Sequence, residues 1–450
     1  MEQELNNEFK HVVEALKKED IDLFRGKFLE MHPYDQTRLF SDLEDNERMR
    51  LYGYLSPEEM ADIFEKIDLE DTKSYLFEME PFYAAKMLGD MYADDAVDVL
   101  NDLEAEQLAS YLTIMDNEAA QEIKELLHYE EKTAGSIMTT EFVAIGANQT
   151  VTQAMQILRK EAPDAETIYY VFVVDENKKL VGVISLRDLI IAEEDTLVTD
   201  VMNERVVAIS VGEDQEEAAR MMKDYDFLAL PVVDFQNHLL GIITVDDIVD
   251  VIDEEASEDY SKLAAVSDMD SADRSPMQAA KRRLPWLIIL LFLGMITASL
   301  IGQFEETLNQ VAILAVFIPL IAGMAGNTGT QALAVAVRGI ATGDTDKQDV
   351  RSLVLREAGT GVITGTSCGL VIMIVVFLWK DSIYLGLLVG ASIFLTLIIA
   401  TLAGALIPLL MHKMKIDPAV ASGPFITTIN DIISVLIYFG LASTFINYFT

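Results

Sequence analysis

Apolar positions follow three different rules along the chain. In residues 55–127 they recur every twelve residues, as Leu55, Ile67, Met79, Met91, Leu103, Met115 and Leu127. Two further series trail the first six markers. Met60, Thr72, Ala84, Ala96, Leu108 and Ala120 lie five residues behind, and Ile63, Tyr75, Met87, Val99, Tyr111 and Ile123 lie eight behind. With polar starters such as Ser56-Pro57-Glu58-Glu59 and Asp116-Asn117-Glu118, this spacing predicts units of about two helical turns and a reverse turn. A unit that small cannot bury its own apolar face, so neighbours must stack into a right-angled or superhelical array. Ahead of the repeat, residues 1–30 predict one amphipathic helix with Phe9, Val12, Val13 and Leu16 on its buried face.

From Met138 to Ile252 the rule changes to short β-rich runs, and the run is duplicated. Val173–Leu189 and Val232–Ile248 both open with Val-Val-Asp, turn through polar residues, pass a glycine and end in Ser/Thr-x-x-Asp. Ser185 and Thr244 are predicted N-caps, with Asp188 and Asp247 at the third helical position, where the helix dipole favours a carboxylate. A helix is expected before each strand pair, at Thr150–Lys160 and Gln215–Asp224.

The third rule is continuous apolarity. Leu284–Phe304 is long enough to span a bilayer, and four more stretches follow near Val311–Val337, Leu353–Leu378, Ile383–Leu410 and Ala419–Tyr438. The second carries Pro319 and Gly323, Gly326 and Gly329, which predict close backbone approach and a break in its helical hydrogen bonding. The third carries Gly361, Gly365 and Gly369, a small-residue face suited to helix packing. Between Glu255 and Arg283 the sequence predicts a long connecting helix, broken near Ser275-Pro276.

Charge sharpens this division. The chain has 450 residues, is 51% hydrophobic and carries a formal net charge of -41. From Arg282 onward nine acids balance nine bases, which leaves 65 acids against 24 bases in residues 1–281. Such a surface repels nucleic acid and attracts divalent cations. The one cysteine, Cys368, lies in an apolar run, so no disulfide framework is expected. The acidic start Met-Glu-Gln-Glu-Leu reads as neither a signal nor a transit peptide. Basic residues gather at alternate ends of the spans: Arg282-Arg283, then Arg338, Lys347, Arg351 and Arg356, then His412, Lys413 and Lys415. The positive-inside rule then places the acidic part in the cytoplasm and the C-terminus outside a multi-pass plasma-membrane protein.

Two groups of acids stand out as chemistry. Asp431 lies within the last span, after Thr427, Thr428 and Asn430. A membrane carboxylate is retained where it faces protein, water or a cation. With neutral oxygens nearby, Asp431 suits either a hydrated hard cation or a proton relay, and pairing with a buried base is the least expected reading. In a dimer, two copies would form an acidic ring on the axis. Asn327 and Gln331 offer neutral oxygens or simple interhelical hydrogen bonds, and Asp417 sits at the mouth of the last span. The second group runs from Asp246 to Asp259 and continues with Asp268, Asp270 and Asp273. Asp246, Asp250 and Asp253 share a helix face, as do Asp94 and Asp98 in the repeat. Like charges at that spacing repel unless water or a cation screens them. Both a solvated surface and a metal-screened joint fit. No nucleophile–base pair, Walker loop or zinc spacing is present, and no enzyme activity is expected.

The duplicated unit, about Thr139–Asp253, resembles a tandem pair of CBS motifs. That resemblance implies adenine-nucleotide binding between the motifs, with Asp188 and Asp247 as the motif acids, although the negative surroundings disfavour a polyphosphate unless a metal accompanies it. The whole order is acidic short-helix repeat, CBS pair, linker helix and five spans. With Gly-Asn-Thr-Gly-Thr-Gln331 and Asp417-Pro-Ala-Val-Ala-Ser-Gly-Pro424…Thr-Thr-Ile-Asn-Asp431, it resembles the bacterial MgtE family of magnesium channels. The expected fold is multi-domain: an all-α superhelical N domain (1–132), an α/β tandem CBS domain (133–255), a connecting plug helix (256–281) and a five-helix α transmembrane domain (282–450). The resemblance implies a homodimer in the lipid bilayer that imports Mg2+ through one pore. Asp431 would hold the hydrated ion with help from groups near Asn327. It also implies closure by internal Mg2+ at Glu59, Asp94, Asp95, Asp214, Glu216, Asp226, Asp247, Asp250, Glu255, Glu258 and Asp259, and modulation by ATP. A proton- or sodium-coupled divalent-cation transporter using the same aspartate is the alternative.

Overall fold

The structure, a computed structural model, describes residues 2–67, 69–101, 103–266, 276–341, 350–417 and 421–445. The expected acids Asp268, Asp270 and Asp273, with Lys347 and Pro418, lie outside them. The described chain forms two compact units, Met1–Ile252 and Asp253–Thr450.

The first unit opens with short helices: α1 (Glu2–Lys17), α2 (Ile21–Phe28), α3 (Pro33–Asp42), α4 (Asp45–Tyr52), α5 (Pro57–Phe64), α6 (Leu69–Leu76), α7 (Pro81–Asp90), α8 (Ala93–Asn101), α9 (Ala105–Ile114) and α10 (Asn117–Leu126). Helices α5 to α10 start two residues after each twelve-residue marker. The markers are therefore turn residues that tuck under the next helix, and Leu55, Ile67, Met79, Met91, Leu103 and Met115 are all buried. Ser56 and Glu59 form a reciprocal capping box at α5, and Pro57 and Pro81 occupy first-turn positions where no amide donor is needed. The single helix expected over residues 1–30 is instead two. Glu19 adopts a left-handed φ of 59° and Asp20 caps α2 by accepting from the Leu23 amide, so the chain reverses where an extended helix would leave Phe24 and Phe28 exposed.

Residues 142–244 form two matching halves. In the first, β1 (Phe142–Gly146), α11 (Val151–Glu161), β2 (Thr167–Val174), β3 (Leu180–Ser185) and α12 (Leu186–Ile191) lead to the short α13 (Val198–Val201). The second repeats the order with β4 (Ile209–Ser210), α14 (Gln215–Tyr225), β5 (Ala229–Val233), β6 (Leu239–Thr244) and α15 (Val245–Ala264). Each sheet has one parallel and one antiparallel pairing. The turns match as well. Asp175 accepts from the amides of Asn177 and Lys179, and Asp234 from those of Gln236 and His238. The halves exchange their leading segments: Thr139 exchanges two backbone bonds with Ile242 of β6, and Asn203 does the same with Val183 of β3. Gly182 and Gly241 lie at these crossings, and a Cβ on Gly241 would sit 2.5 Å from the Thr139 carbonyl oxygen.

The division between the two units falls within α15. The second unit contains α16 (Pro276–Gly302), α17 (Glu305–Gln310), a 3₁₀ turn (Ala312–Phe317), α18 (Ile318–Ala341), α19 (Val350–Lys380), α20 (Ile383–Lys413) and α21 (Gly423–Thr444). Among the described residues five helical segments are long and apolar enough to cross a membrane, namely Pro276–Gly302, Ala312–Ile340, Arg351–Lys380, Ile383–Lys413 and Gly423–Thr444. Three expectations change. The connecting helix stops at Ala264, where Ala265 turns left-handed with φ 54° and the Val266 amide reaches back to the Ser261 carbonyl. The glycines of α18 do not break it. They admit α21, because Gly326 lies against Thr427 and Gly329 against Asn430. Arg351 and Arg356, expected in a connection, lie inside α19, where the Arg356 side chain bonds Glu357 at 3.2 Å.

Helices α19 and α20 pack backbone against backbone. Cβ atoms added at Gly361, Gly365 and Gly369 would lie 2.7–2.8 Å from the backbone of Ile398, Phe394 and Gly390. Backbone cannot yield as a side-chain tip can, so Gly365→Val should destabilise the bundle by about 1–3 kcal/mol or more. Gly359→Val, on the same helix with nothing within 4 Å, should not. Unfolding in mixed SDS and dodecylmaltoside micelles checks the pair.

Candidate metal centres

Helix α8 begins with Ala93-Asp94-Asp95, and its N-terminal amides are met by acids from elsewhere in the unit. Glu65 Oε1 accepts from the Tyr92 amide at 3.1 Å, and Glu141 Oε1 from the Ala93 amide at 3.3 Å. The positive end of a helix dipole can carry only part of that charge. Asp94 points inward, 8% exposed. There it meets Glu166, which precedes β2 in the first half-repeat, and Asp247, in the first turn of α15 in the second. One carboxylate oxygen from each of the three lies within 4.8 Å of the others. Thr244 holds Asp247 in place, its hydroxyl donating to Oδ2 at 2.7 Å. Asp94 Oδ1 and Glu166 Oε2 are buried and have no hydrogen-bond donor.

Such a group is costly when ionised and bare. Burial first, then the neighbouring acids Asp95 and Asp247, hold Asp94 well above the ordinary aspartate range. Burial with Glu65 and Asp247 pushes Asp95 up to about 8, and burial with Asp247 pushes Glu166 up to about 7. Asp247 is raised by burial as well, against the lowering bond from Thr244. Three converging carboxylates, two of them with an orphaned oxygen, fit a hard divalent cation, which takes oxygen ligands and keeps water in its remaining positions. The sequence pointed to Asp94, Asp95 and Asp247. It gave no sign of Glu166, Glu141 or Glu65, which reach the cluster only through the fold.

A second acidic group lies in the other unit. Lys262, in the last turns of α15, is ion-paired at once with Glu258, one turn back, and with Asp417, just before α21. Asp259 is beside them, and burial followed by Asp417 pushes it up to about 6. Burial opposes the charge on Lys262, yet its bonds to Asp417 and Glu258 raise the ammonium above its ordinary value. Glu255 acts on Asp259 from one turn earlier. The sequence put Glu255, Glu258 and Asp259 on the connecting helix and Asp417 apart from them at the mouth of the last span, and it overlooked the lysine between them. Its signal was a base four residues after Glu258, the favourable order for a helical ion pair.

The remaining expected residues are dispersed. Glu59 is held by Arg25 in a two-pronged pair at 2.6 and 2.8 Å, and also caps Ser56, so this carboxylate is occupied away from the Asp94 cluster. Asp214 is the exposed N-cap of α14 and accepts from the exposed Glu216 amide, while Asp226 is its left-handed C-cap. Asp250 is exposed on α15. Asp188 is exposed and bonded by the Ser185 hydroxyl at 2.6 Å, the counterpart of the Thr244–Asp247 bond.

In the membrane helices, Asp431 is half-buried on α21, and the described residues offer it no ion pair. Its neighbour Asn430 is 1% exposed, with neither amide atom hydrogen-bonded. Helix α21 is seated by Thr427 Oγ1, 3.3 Å from Thr330 Oγ1 of α18, and by Tyr438, whose hydroxyl donates to the Leu314 carbonyl at 3.0 Å. Asn327 and Gln331 are exposed on α18, on a different side from the Gly326–Thr330 contact with α21.

This layout has relatives. The profile of the MgtE divalent cation transporter family matches residues 318–441, that of the MgtE intracellular N domain residues 31–132, and that of the CBS domain residues 134–195 and 198–254. The magnesium transporter MgtE of Enterococcus faecalis is 55% identical over 449 residues, covering 99% of both chains. The chain belongs to the MgtE family. A solved structure of the soluble part of a magnesium transporter is 55% identical, with a TM-score of 0.55, and covers 56% of this chain and 99% of its own. The cytosolic domain of the Mg2+ channel MgtE in complex with ATP is 38% identical, with a TM-score of 0.52, and covers 54% of this chain and 99% of its own. Inosine-5'-monophosphate dehydrogenase of Methanocaldococcus jannaschii is 33% identical over 28% of this chain, a likeness confined to the CBS pair, and MgtE-family proteins are transporters rather than enzymes.

The raised carboxyl groups fix a pH response for this MgtE-family chain. A carboxyl whose folded pKa lies above its unfolded value binds its proton more tightly when folded. Its contribution is favourable below the unfolded pKa and is lost as pH rises through the folded one. For Asp95 and Glu166 that window runs from about 4 to about 7–8. In chelator the protein should melt at a lower temperature at pH 8.5 than at pH 6, by about 2–4 °C for each kcal/mol lost. Added Mg2+ should close the gap, and Asp95→Asn should flatten it. Calorimetry of the detergent-solubilised protein reads all three.

Proposed function

We propose that this protein carries Mg2+ across the cell membrane as a homodimeric channel, closed when cytoplasmic Mg2+ fills its acidic sites. The observation that carries the transport reading is Asp431, a half-buried membrane carboxylate with no ion pair among the described residues. A hydrated divalent cation matches such a group, because magnesium gives up its water reluctantly and needs few direct protein ligands. Full-length likeness to proteins named magnesium transporters supports the choice of ion. A dimer would bring two Asp431 carboxylates to one axis, with the exposed Asn327 of α18 as a further neutral ligand. Helix α16, which buries none of its own residues, is available for a second copy or for lipid.

Regulation follows from the two acidic clusters. At low internal Mg2+ the Asp94, Glu166 and Asp247 carboxylates repel one another or take up protons. At high Mg2+ the ion draws together α8 and both CBS half-repeats. Helix α15 carries Asp247 near its start and Glu258, Asp259 and Lys262 near its end, so the pose of one helix is set by ion occupancy. The half-buried Glu255 and the exposed Asp214, Glu216, Asp226 and Asp250 add weaker positions. ATP, present with a relative's cytosolic domain, fits here as a modulator in the CBS pair, beside Asp188 and Asp247. The acidic unit faces the cytoplasm and the C-terminus lies outside.

Uptake of Mg2+ into liposomes tests the channel. Asp431→Ala should lower flux by about tenfold or more, or abolish preference for Mg2+, while melting in chelator stays unchanged. Flux that follows voltage and ignores pH supports the channel, whereas flux that needs a proton or sodium gradient points to a coupled transporter. Glu166→Gln removes one charge from the regulatory site and should raise the internal Mg2+ concentration for half-closure by about tenfold, the equivalent of ~1.4 kcal/mol.

A further inference from the structure

Helix α21 buries Ile426, Asn430 and Ser434 at one-turn spacing, on a single stripe. Ile426 and Asn430 lie against Gly329 of α18. A Cβ on that glycine would sit 3.1 Å from an Ile426 methyl and collide with the Asn430 amide. A Cβ on Gly404 of α20 would in turn collide with the Gly329 carbonyl oxygen, so α18 has no room to retreat. The amide therefore fills a slot that only glycine leaves open, where three membrane helices meet. The hydroxyls around it bond within their own helices. Ser434 donates to the Asp431 carbonyl at 2.8 Å, Thr428 to that of Pro424 at 2.9 Å and Thr330 to that of Gly326 at 2.9 Å. Asn430 does not: it is 1% exposed and both its amide atoms lack a hydrogen bond. Its shape is accommodated and its polarity is not, so an apolar side chain of the same outline would be better placed there.

We propose that Asn430 is a positioning residue for Asp431, a key whose shape sets the rotation of α21 and whose unmet polarity lets the helix leave the slot. The idea rests on the reading of Asp431 as the group that meets the ion. Residues 430 and 431 point about 100° apart around the helix, so seating one decides the direction of the other. Asn430 is enclosed while Asp431 stays half-buried. A leucine would hold the same rotation but lock it, because nothing would oppose its burial. Asparagine loses to desolvation much of what its packing gains, so α21 can turn against α18 with little resistance. A polar residue inside a membrane bundle is retained where function uses it, even against stability.

Unfolding of the full-length protein in mixed SDS and dodecylmaltoside micelles, with Mg2+ and Ca2+ uptake into liposomes, tests this. Asn430→Leu should unfold at the same or a higher SDS fraction than the parent, yet carry Mg2+ about tenfold more slowly. Gly329→Ala should push the amide from its slot, turn Asp431 and lower the preference for Mg2+ over Ca2+ by about tenfold. Adding Asn430→Ala to Gly329→Ala makes room for the new methyl and should restore that preference, which a role in folding alone would not. This pair decides the matter if Asn430→Leu yields no folded protein. A folded Asn430→Leu that unfolds at a lower SDS fraction would overturn the proposal, because the amide would then be a bonded structural group. So would parent-like Mg2+ flux in Asn430→Leu, or a double variant no more selective than Gly329→Ala. If the parent itself carries no Mg2+, the transport reading fails, and the unfolding of Asn430→Leu decides the key without it.

Discussion

Repulsion among carboxylates that the fold forces together is the constraint on which this molecule depends. Most of its acids can face water, where screening makes them harmless. Asp94, Asp95, Glu166 and Asp247 cannot, because the helix repeat and the CBS pair bury them against each other. The strongest electrostatic neighbours of Asp94 and Asp95 are themselves acids. The helix dipole of α8 offsets part of this, and protons or a divalent cation must supply the rest. The first unit is thereby made sensitive to its ionic surroundings by the same residues that join its parts.

The second unit meets the same problem differently. Glu258 and Asp417 face an ammonium that belongs to the chain, and Leu263 adds apolar burial next to it. One helix, α15, thus carries an acid of the Asp94, Glu166 and Asp247 cluster near its start and a lysine-paired acidic group near its end.

Much of this architecture could be read from the sequence because its period is strict. The twelve-residue markers located the turns of α5 to α10, since each unit must bury the same three positions against its neighbours. The duplicated Val-Val-Asp and Ser/Thr-x-x-Asp segments fell on matching turns and caps, because an aspartate in that place satisfies local amides whatever surrounds it. Local rules failed where tertiary contacts decide. The glycines of α18 read as points of close approach and as breakers, and only the first holds, since they seat Thr427 and Asn430 in an unbroken helix. The pause at Glu19 was invisible because its neighbours are good helix formers. Glu59 carried the right composition for a sensing acid, yet Arg25, 34 positions away, claims it. Glu166 and Lys262 lie far in sequence from the groups they meet, and no pattern in a single chain reports such a pairing.

The crossed strands of the CBS pair carry a consequence for biogenesis. The segment ending at Thr139 completes the sheet that contains Ile242, and the segment at Asn203 completes the one that contains Val183. As the chain leaves the ribosome, Thr139 waits about a hundred residues for its strand partner. Neither half can finish before the other, so translation must deliver both before either is secure.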